Sequence, residues 1–274
     1  MKIIDATAPT SWNAPQPALP PVANGVAHGS APLRPLPDSF ATTRDTLQRV
    51  ATHILARRRH QLCGKLGLRV APGGIGTPSC GPDHEVLRIS GTRLIREVTG
   101  SAARTTALDL AAATLEDAAE LADVDLSAPF DAGHDTPSMG DPGSVLDVDA
   151  ASADALAAWF RFGWAVLDET VAGLGPAAES SVVQLWPEHF DAGCDVAAAP
   201  GRRLNLGASP GDSFSAQPYL YVGPWDPERP GDPGYWNAPF GAVLTYEQLL
   251  TSPDPTAVAV AFLRHGVELF RELR

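Results

Sequence analysis

Glu85–Gly100, "EVLRISGTRLIREVTG", decides the fold class. Its two apolar runs meet at Ser90-Gly91, a connection short enough for a hairpin, so the stretch predicts two antiparallel strands. Upstream, "KLGLRVA" (Lys65–Ala71) alternates like another strand, and "PGGIGTPSCGPDH" (Pro72–His84) reads as a long glycine and proline turn. Before these, Leu47, Val50, Ile54 and Leu55 recur at helical spacing within Thr43–His60, with Thr42 and Thr43 as N-cap candidates. The "ARRRH" cluster (Ala56–His60) closes this helix, where cations complement the dipole.

Downstream, Leu115–Leu121 predicts a short helix, followed by the eighteen-residue polar loop "SAPFDAGHDTPSMGDPGS". A loop of that length inside a compact domain is functional or disordered. Asp149–Leu174 predicts a long helix, with Leu156, Phe160, Gly163, Leu167, Val171 and Leu174 in steps of three and four and Trp159 and Trp164 widening the face. Strands are expected at Ser181–Trp186, His189–Val196, Arg203–Leu206 and Pro218–Gly223. Asp254-Pro255 then starts a last helix, with Val258, Ala261, Phe262, His265 and Leu269 on its inner face and His265 as a core histidine. The fold class is therefore α+β, antiparallel sheets backed by helices. The order suggests two similar halves, 41–125 and 149–274, joined by the acidic loop within one domain. Residues 1–40, proline-rich and without apolar period, read as a flexible tail.

Net charge is -12, and it is concentrated. Between Thr105 and Phe160 lie twelve Asp or Glu and no Lys or Arg, while the remainder balances 20 acids against 20 bases. Such a chain is not built for nucleic acid or anionic lipid, which need clustered cations. A basic protein docking on the acidic segment remains a third functional reading, beside enzyme and binder. No apolar run approaches the ~18 residues of a membrane span, and the N-terminus lacks a signal-peptide pattern. Cys63, Cys80 and Cys194 are odd in number and widely spaced, suggesting neither disulfides nor a zinc knuckle. A cytoplasmic location is expected.

The chemistry concentrates in "LWPEHFDAGCDV" (Leu185–Val196). On a strand, Phe190, Ala192, Cys194 and Val196 form an apolar file and His189, Asp191, Gly193 and Asp195 a polar one facing water or a cleft. His189 and Asp191, two apart on one face, are candidates for a general base and its orienting carboxylate, or for two ligands of a divalent metal. A solvated strand face accounts for the same residues without function. Cys194 reads as a buried small hydrophobe. Nine aromatic residues fall between Trp186 and Phe240, a density that suits an aromatic-walled small-molecule pocket. Its candidate lining is Trp186, Glu188, Ser209, Asp212, Gln217, Tyr219, Tyr221, Trp225 and Trp236. Of the acidic loop, Phe130–Gly143, carrying Asp131, His134, Asp135 and Asp141, could close over such a cleft and lend a ligand.

"LWPEHFD" (Leu185–Asp191), "NLGASPGDS" (Asn205–Ser213) and "QPYLYVGPW" (Gln217–Trp225) together resemble an uncharacterised bacterial family marked by Leu-Trp-Pro-x-His-Phe-Asp, Ser-Pro-Gly-Asp and Glu-Pro-Tyr-x-Tyr. The resemblance covers roughly residues 180 to 245 and implies no activity. Gln217 stands where that pattern has Glu. The expectation is a small-molecule enzyme with a His189/Asp191 site, or a non-catalytic binder using the same pocket.

Overall fold

Two five-stranded antiparallel meanders carry the chain, described at residues 33–100 and 103–272 in a computed structural model. The first half begins with α1 (Phe40–Val50), a π turn (Ala51–Ala56) and α2 (Arg57–Cys63), one continuous helical run. It continues through β1 (Arg69–Ala71), β2 (Gly74–Gly76), β3 (Val86–Ser90), β4 (Arg93–Val98), β5 (Arg104–Asp109) and α3 (Leu115–Ala122). The second half repeats the plan with α4 (Ala150–Leu174), β6 (Gln184–Trp186), β7 (Asp191–Ala199), β8 (Arg202–Ser209), β9 (Tyr219–Pro224), β10 (Ala242–Thr245), α5 (Tyr246–Leu250) and α6 (Pro255–Arg271). The α+β class and the two similar halves are as the sequence predicts.

The two sheets meet edge to edge. Leu68, just before β1, exchanges both backbone hydrogen bonds with Leu185 of β6, at 2.7 and 2.9 Å. Beneath this seam α4 packs against strands of both sheets and against α1 and α6. Its start is set by Asp149, whose carboxylate accepts the Ser152 N–H, and its inner face buries Leu156, Trp159, Phe160, Gly163 and Leu167. One apolar core runs through both halves. Among the described residues no helix is long and apolar enough to cross a membrane.

Gly163 lets α4 lie close to β8, since a methyl group there would overlap the Ala208 Cβ. Two effects oppose in Gly163→Ala: helix propensity favours Ala by about 1 kcal/mol, and overpacking costs about 1–3 kcal/mol. Because the obstacle is another Cβ fixed to a sheet backbone, overpacking wins. We expect a net loss of about 1–2 kcal/mol by urea denaturation.

Several local readings are corrected. Of the expected tail, residues 1–32 lie outside the described residues, whereas Leu33 and Leu36 pack on the core and the Arg34 carbonyl accepts the Tyr246 hydroxyl at 2.7 Å. The glycine-rich stretch is no mere turn: Gly74–Gly76 is a strand between β1 and β3. On α6 the buried face is Ala259, Val260, Leu263, Val267 and Phe270, and His265 is exposed with its ring on Tyr235, not in the core. The "ARRRH" cations do more than complement a dipole. Arg57 and Arg59 are buried; Arg57 donates to the Ala128 carbonyl and lies over the Phe130 ring. Arg58 and Arg96 both clamp the buried Glu85 carboxylate, which burial would push up but the two guanidinia hold below its ordinary range. Cys63 and Cys80, distant in sequence, have their sulfurs 2.6 Å apart.

The acidic segment also acquires a local explanation. Asp109, Asp117, Asp125, Asp131, Asp141 and Asp149 each accept a backbone N–H two or three residues away, as turn or helix-cap acceptors. Charge accumulates there because short carboxylates close turns.

Candidate functional site

"PEHF" (Pro187–Phe190) is a tight turn between β6 and β7, not the start of the strand. The Phe190 N–H reaches back to the Trp186 carbonyl at 2.7 Å, which puts Phe190 in the left-handed region at φ 56. A bulky aromatic residue rarely adopts that conformation, and such strain gathers at functional sites. Its ring anchors the turn, 99% buried against Phe160 with centroids 5.2 Å apart. With Phe190 pinned, Glu188, His189 and Asp191 stand around it.

The first half holds this turn from behind. The Gln48 amide donates to the Glu188 carbonyl and the Thr52 hydroxyl to the Pro187 carbonyl, both at 2.8 Å. Thr52 and His53 belong to the π turn, a helix distortion found at functional sites. The His53 Nε2 lies 2.8 Å from the Pro137 carbonyl, tying the same helix to the acidic loop. Desolvation lowers the His53 pKa, so the neutral ring donates this bond. That loop covers the site from in front: Gly133 lies against the Glu188 carboxylate, where a methyl group would touch Cγ and Oε1 at 3.4 Å. Asp135 Oδ2 lies 3.3 Å from His189 Nδ1.

The polar file is therefore not wet. Asp191 and Asp195 are buried, as is Gly193, and both faces of β7 are covered. Tyr221 donates its hydroxyl to Asp191 Oδ2 at 2.5 Å. Its ring reaches there by crossing Gly207, its partner across the strands, where any side chain would overlap it. Burial, then the neighbouring Asp191 charge, keeps the phenol far above its ordinary pKa, so it acts as a donor. Glu188 is only 9% exposed. Burial pushes its carboxyl up to about 7, and the charges of Asp191, Asp135 and Asp131 add to the effect. Of seven buried side-chain atoms without a hydrogen-bond partner among the described residues, three lie here: Glu188 Oε2, Asp191 Oδ1 and His189 Nδ1, whose approach to Asp135 is not aligned as a hydrogen bond. Buried polar groups are nearly always satisfied, so three orphans within four consecutive residues need an explanation.

The expected single aromatic pocket divides into separate clusters. Tyr219, Tyr221, Phe214 and Phe240 pack together near Asp191, and Trp186 shares its sheet face, paired with it across β6 and β7. Trp225 lies at the far end of β9, exposed, bonded to Asn205 and under Arg203. Trp236 packs on Phe270 of α6 and donates to the Pro230 carbonyl. Neither belongs to the site. Asp212 caps a turn and accepts the Tyr219 hydroxyl at 2.7 Å; buried Ser209 accepts the Gly211 N–H. Gln217 is exposed on that turn. Burial, with Asp195 and Asp168 near, pushes the Cys194 thiol to about 12, as suits a small core residue.

Of the predicted residues, the fold brings together Glu188, His189, Asp191, Tyr221 and Trp186, and adds Asp131 and Asp135 from the loop. Gln48, Thr52 and His53 carry no sequence signal: a π turn leaves none for Thr52 and His53, and nothing in α1 points Gln48 at a distant carbonyl. Gly207 opposite Tyr221 was a readable one. Among the described residues, no group of three or more His, Cys, Asp or Glu is disposed to hold a metal ion. No protein-family model, curated protein or solved structure matches the chain.

Proposed function

We propose that this chain is a small-molecule enzyme whose acid–base group is Glu188, with Asp191 and His189 completing the site. The observation that carries it is the trio of unpartnered buried atoms, Glu188 Oε2, Asp191 Oδ1 and His189 Nδ1, raised on one strained turn. Such atoms cost stability unless a ligand meets them. A carboxyl near pKa 7 is matched to proton transfer at neutral pH. Asp191, fixed by Tyr221, serves as a stationary acceptor, and His189 with Asp135 forms the solvent-side rim. This moves the base from His189 to Glu188 and needs no metal.

The test combines two measurements on the full chain. With carboxyl carbons of glutamate labelled, NMR should show Glu188 titrating near pH 7; a midpoint near 4.5 sinks the proposal. Small-metabolite mixtures should then contain compounds that bind the wild type but not Asp191→Asn, and at least one should be chemically altered with time. Binding without alteration would establish the other reading, a non-catalytic binding protein.

A further inference from the structure

The charge pattern around the turn selects a ligand class. Glu188, Asp191, Asp131 and Asp135 converge on one another, close enough for the last three to raise the first. Among the described residues none of the four is paired with a Lys or Arg. Two guanidinia of the first half's helical run are occupied by loop carbonyls, Arg49 by Met139 and Arg57 by Ala128. Glu188 and Asp191 are both more than nine-tenths buried, and each keeps one oxygen without a partner. Uncompensated carboxylates in a poorly solvated place attract a cation strongly. Trp186, on the Asp191 face, supplies a ring of the kind that favours organic cations.

We propose that the site takes an organic nitrogen cation, a guanidinium, amidinium or ammonium group whose N–H donors fill Glu188 Oε2 and Asp191 Oδ1. This rests on the site assignment made above. The ligand enters at the rim of His189 and Asp135, whose side chains are 34% and 44% exposed. Loop residues Asp131 and Asp135 supply the outer negative field. The charged groups acting on Glu188 are Asp191 at the start of β7 and Asp131 and Asp135 of the loop, with His189 beside it on the turn; Tyr221 of β9 reaches the site through Asp191, and His53 is tied to the loop through Pro137.

The probes are methylguanidinium, benzamidine and n-butylammonium, titrated into the labelled full-length protein at pH 8, with benzoate, Mg²⁺ and Zn²⁺ as comparisons. At least one organic cation should shift the Glu188 carboxyl signal saturably. Asp191→Asn should weaken it by about ten- to a hundredfold, the loss of one charge-assisted hydrogen bond. Binding should also weaken below pH 7, as Glu188 takes a proton. Saturation by a divalent metal or benzoate, with none by the organic cations, overturns the ligand class. So does silence from every probe. In either case a Glu188 midpoint near 7 would leave the acid–base assignment standing, whereas a midpoint near 4.5 would remove that assignment first.

A second observation stands apart from this site. Cys63 is exposed at the end of α2, and its sulfur lies 2.6 Å from that of buried Cys80, which is held between strands by paired backbone bonds to Glu85. We infer that these two thiols form a disulfide when a peroxide is present. The Cys63 thiolate attacks one peroxide oxygen and expels hydroxide, giving a sulfenic acid; the Cys80 sulfur then displaces its hydroxyl. The net change is two thiols and hydrogen peroxide to one disulfide and two waters. Cys80, buried with its sulfur against that of Cys63, is the resolving partner. Mass spectrometry after peroxide treatment should show a loss of two hydrogens mapped to the Cys63–Cys80 peptide pair, with a raised Tm reversed by dithiothreitol. In Cys80→Ser, Cys63 should instead over-oxidise by added oxygen. Wild-type protein that gains oxygen at Cys63 without cross-linking overturns the inference.

Discussion

Phe190→Ala should cost about 3–5 kcal/mol, the range for deleting a fully buried aromatic ring. The ring fills the space against Phe160 under the turn and is 1% exposed. A second variant separates packing from backbone strain. Phe190→Gly deletes the same ring and, because the residue sits at φ 56, also removes a Cβ from the left-handed region. That relief is worth about 1–2 kcal/mol. Glycine should therefore be the milder substitution by about 1 kcal/mol, the reverse of the order in ordinary strands and helices. Urea midpoints of the two variants at equal m-value decide it, and alanine as the milder change would show that Phe190 is unstrained.

Glu188→Gln should stabilise the protein in alkaline solution. The carboxyl is raised from 4.5 to about 7 in the folded chain, so the folded state holds this proton more tightly than the unfolded one. The contribution is complete below pH 4.5 and is lost as pH rises through about 7. Above that, burying the ionised carboxylate disfavours folding by roughly 3 kcal/mol, from about 1.4 kcal/mol per pKa unit. Gln keeps the shape and removes the charge. The variant should gain up to about 3 kcal/mol at pH 9 and nothing at pH 4. A pH-independent difference would mean that Glu188 is not desolvated. A substitution that stabilises while abolishing ligand binding is expected of a site kept at a cost to the fold.

Legibility followed how directly a residue's own neighbours in sequence decide its environment. The α4 start at Asp149, the Ser90-Gly91 hairpin and the Asp254-Pro255 helix start are local matters, and all three are found. β2 was hidden because glycine signals a turn, yet here it signals close approach: side chains at Gly74 and Gly76 would strike Ile89 and Arg88 on β3. β5 escaped because, at the rim and largely exposed, it has no apolar alternation to show. The α6 face was misplaced since Ala259 and Gly266, small and weak in any hydrophobic pattern, are buried while Val258 is exposed. At "PEHFD", which the sequence singles out, the strand reading assumed that alternate residues face water. What covers Asp191 and Glu188 comes from β9 and the loop, at separations no local pattern reports. The aromatic density was misleading for a similar reason, because chain proximity between Trp186 and Phe240 is not spatial proximity.

The Leu68–Leu185 bridge has a consequence for self-association. Without it the molecule would offer four open strand edges, those of β1, β5, β6 and β10, each a template on which another chain could add. With it, β1 and β6 shield one another, though each is only three residues long. The remaining edges are poor templates. β10 has four residues and runs directly into α5, and β5 carries Arg104, Thr105 and Thr106 exposed, with α3 packed beside it. One pair of backbone hydrogen bonds thus guards the two sheets of an α+β molecule against edge-to-edge aggregation. Proline at position 68, which removes one of them, should show itself first as turbidity on warming.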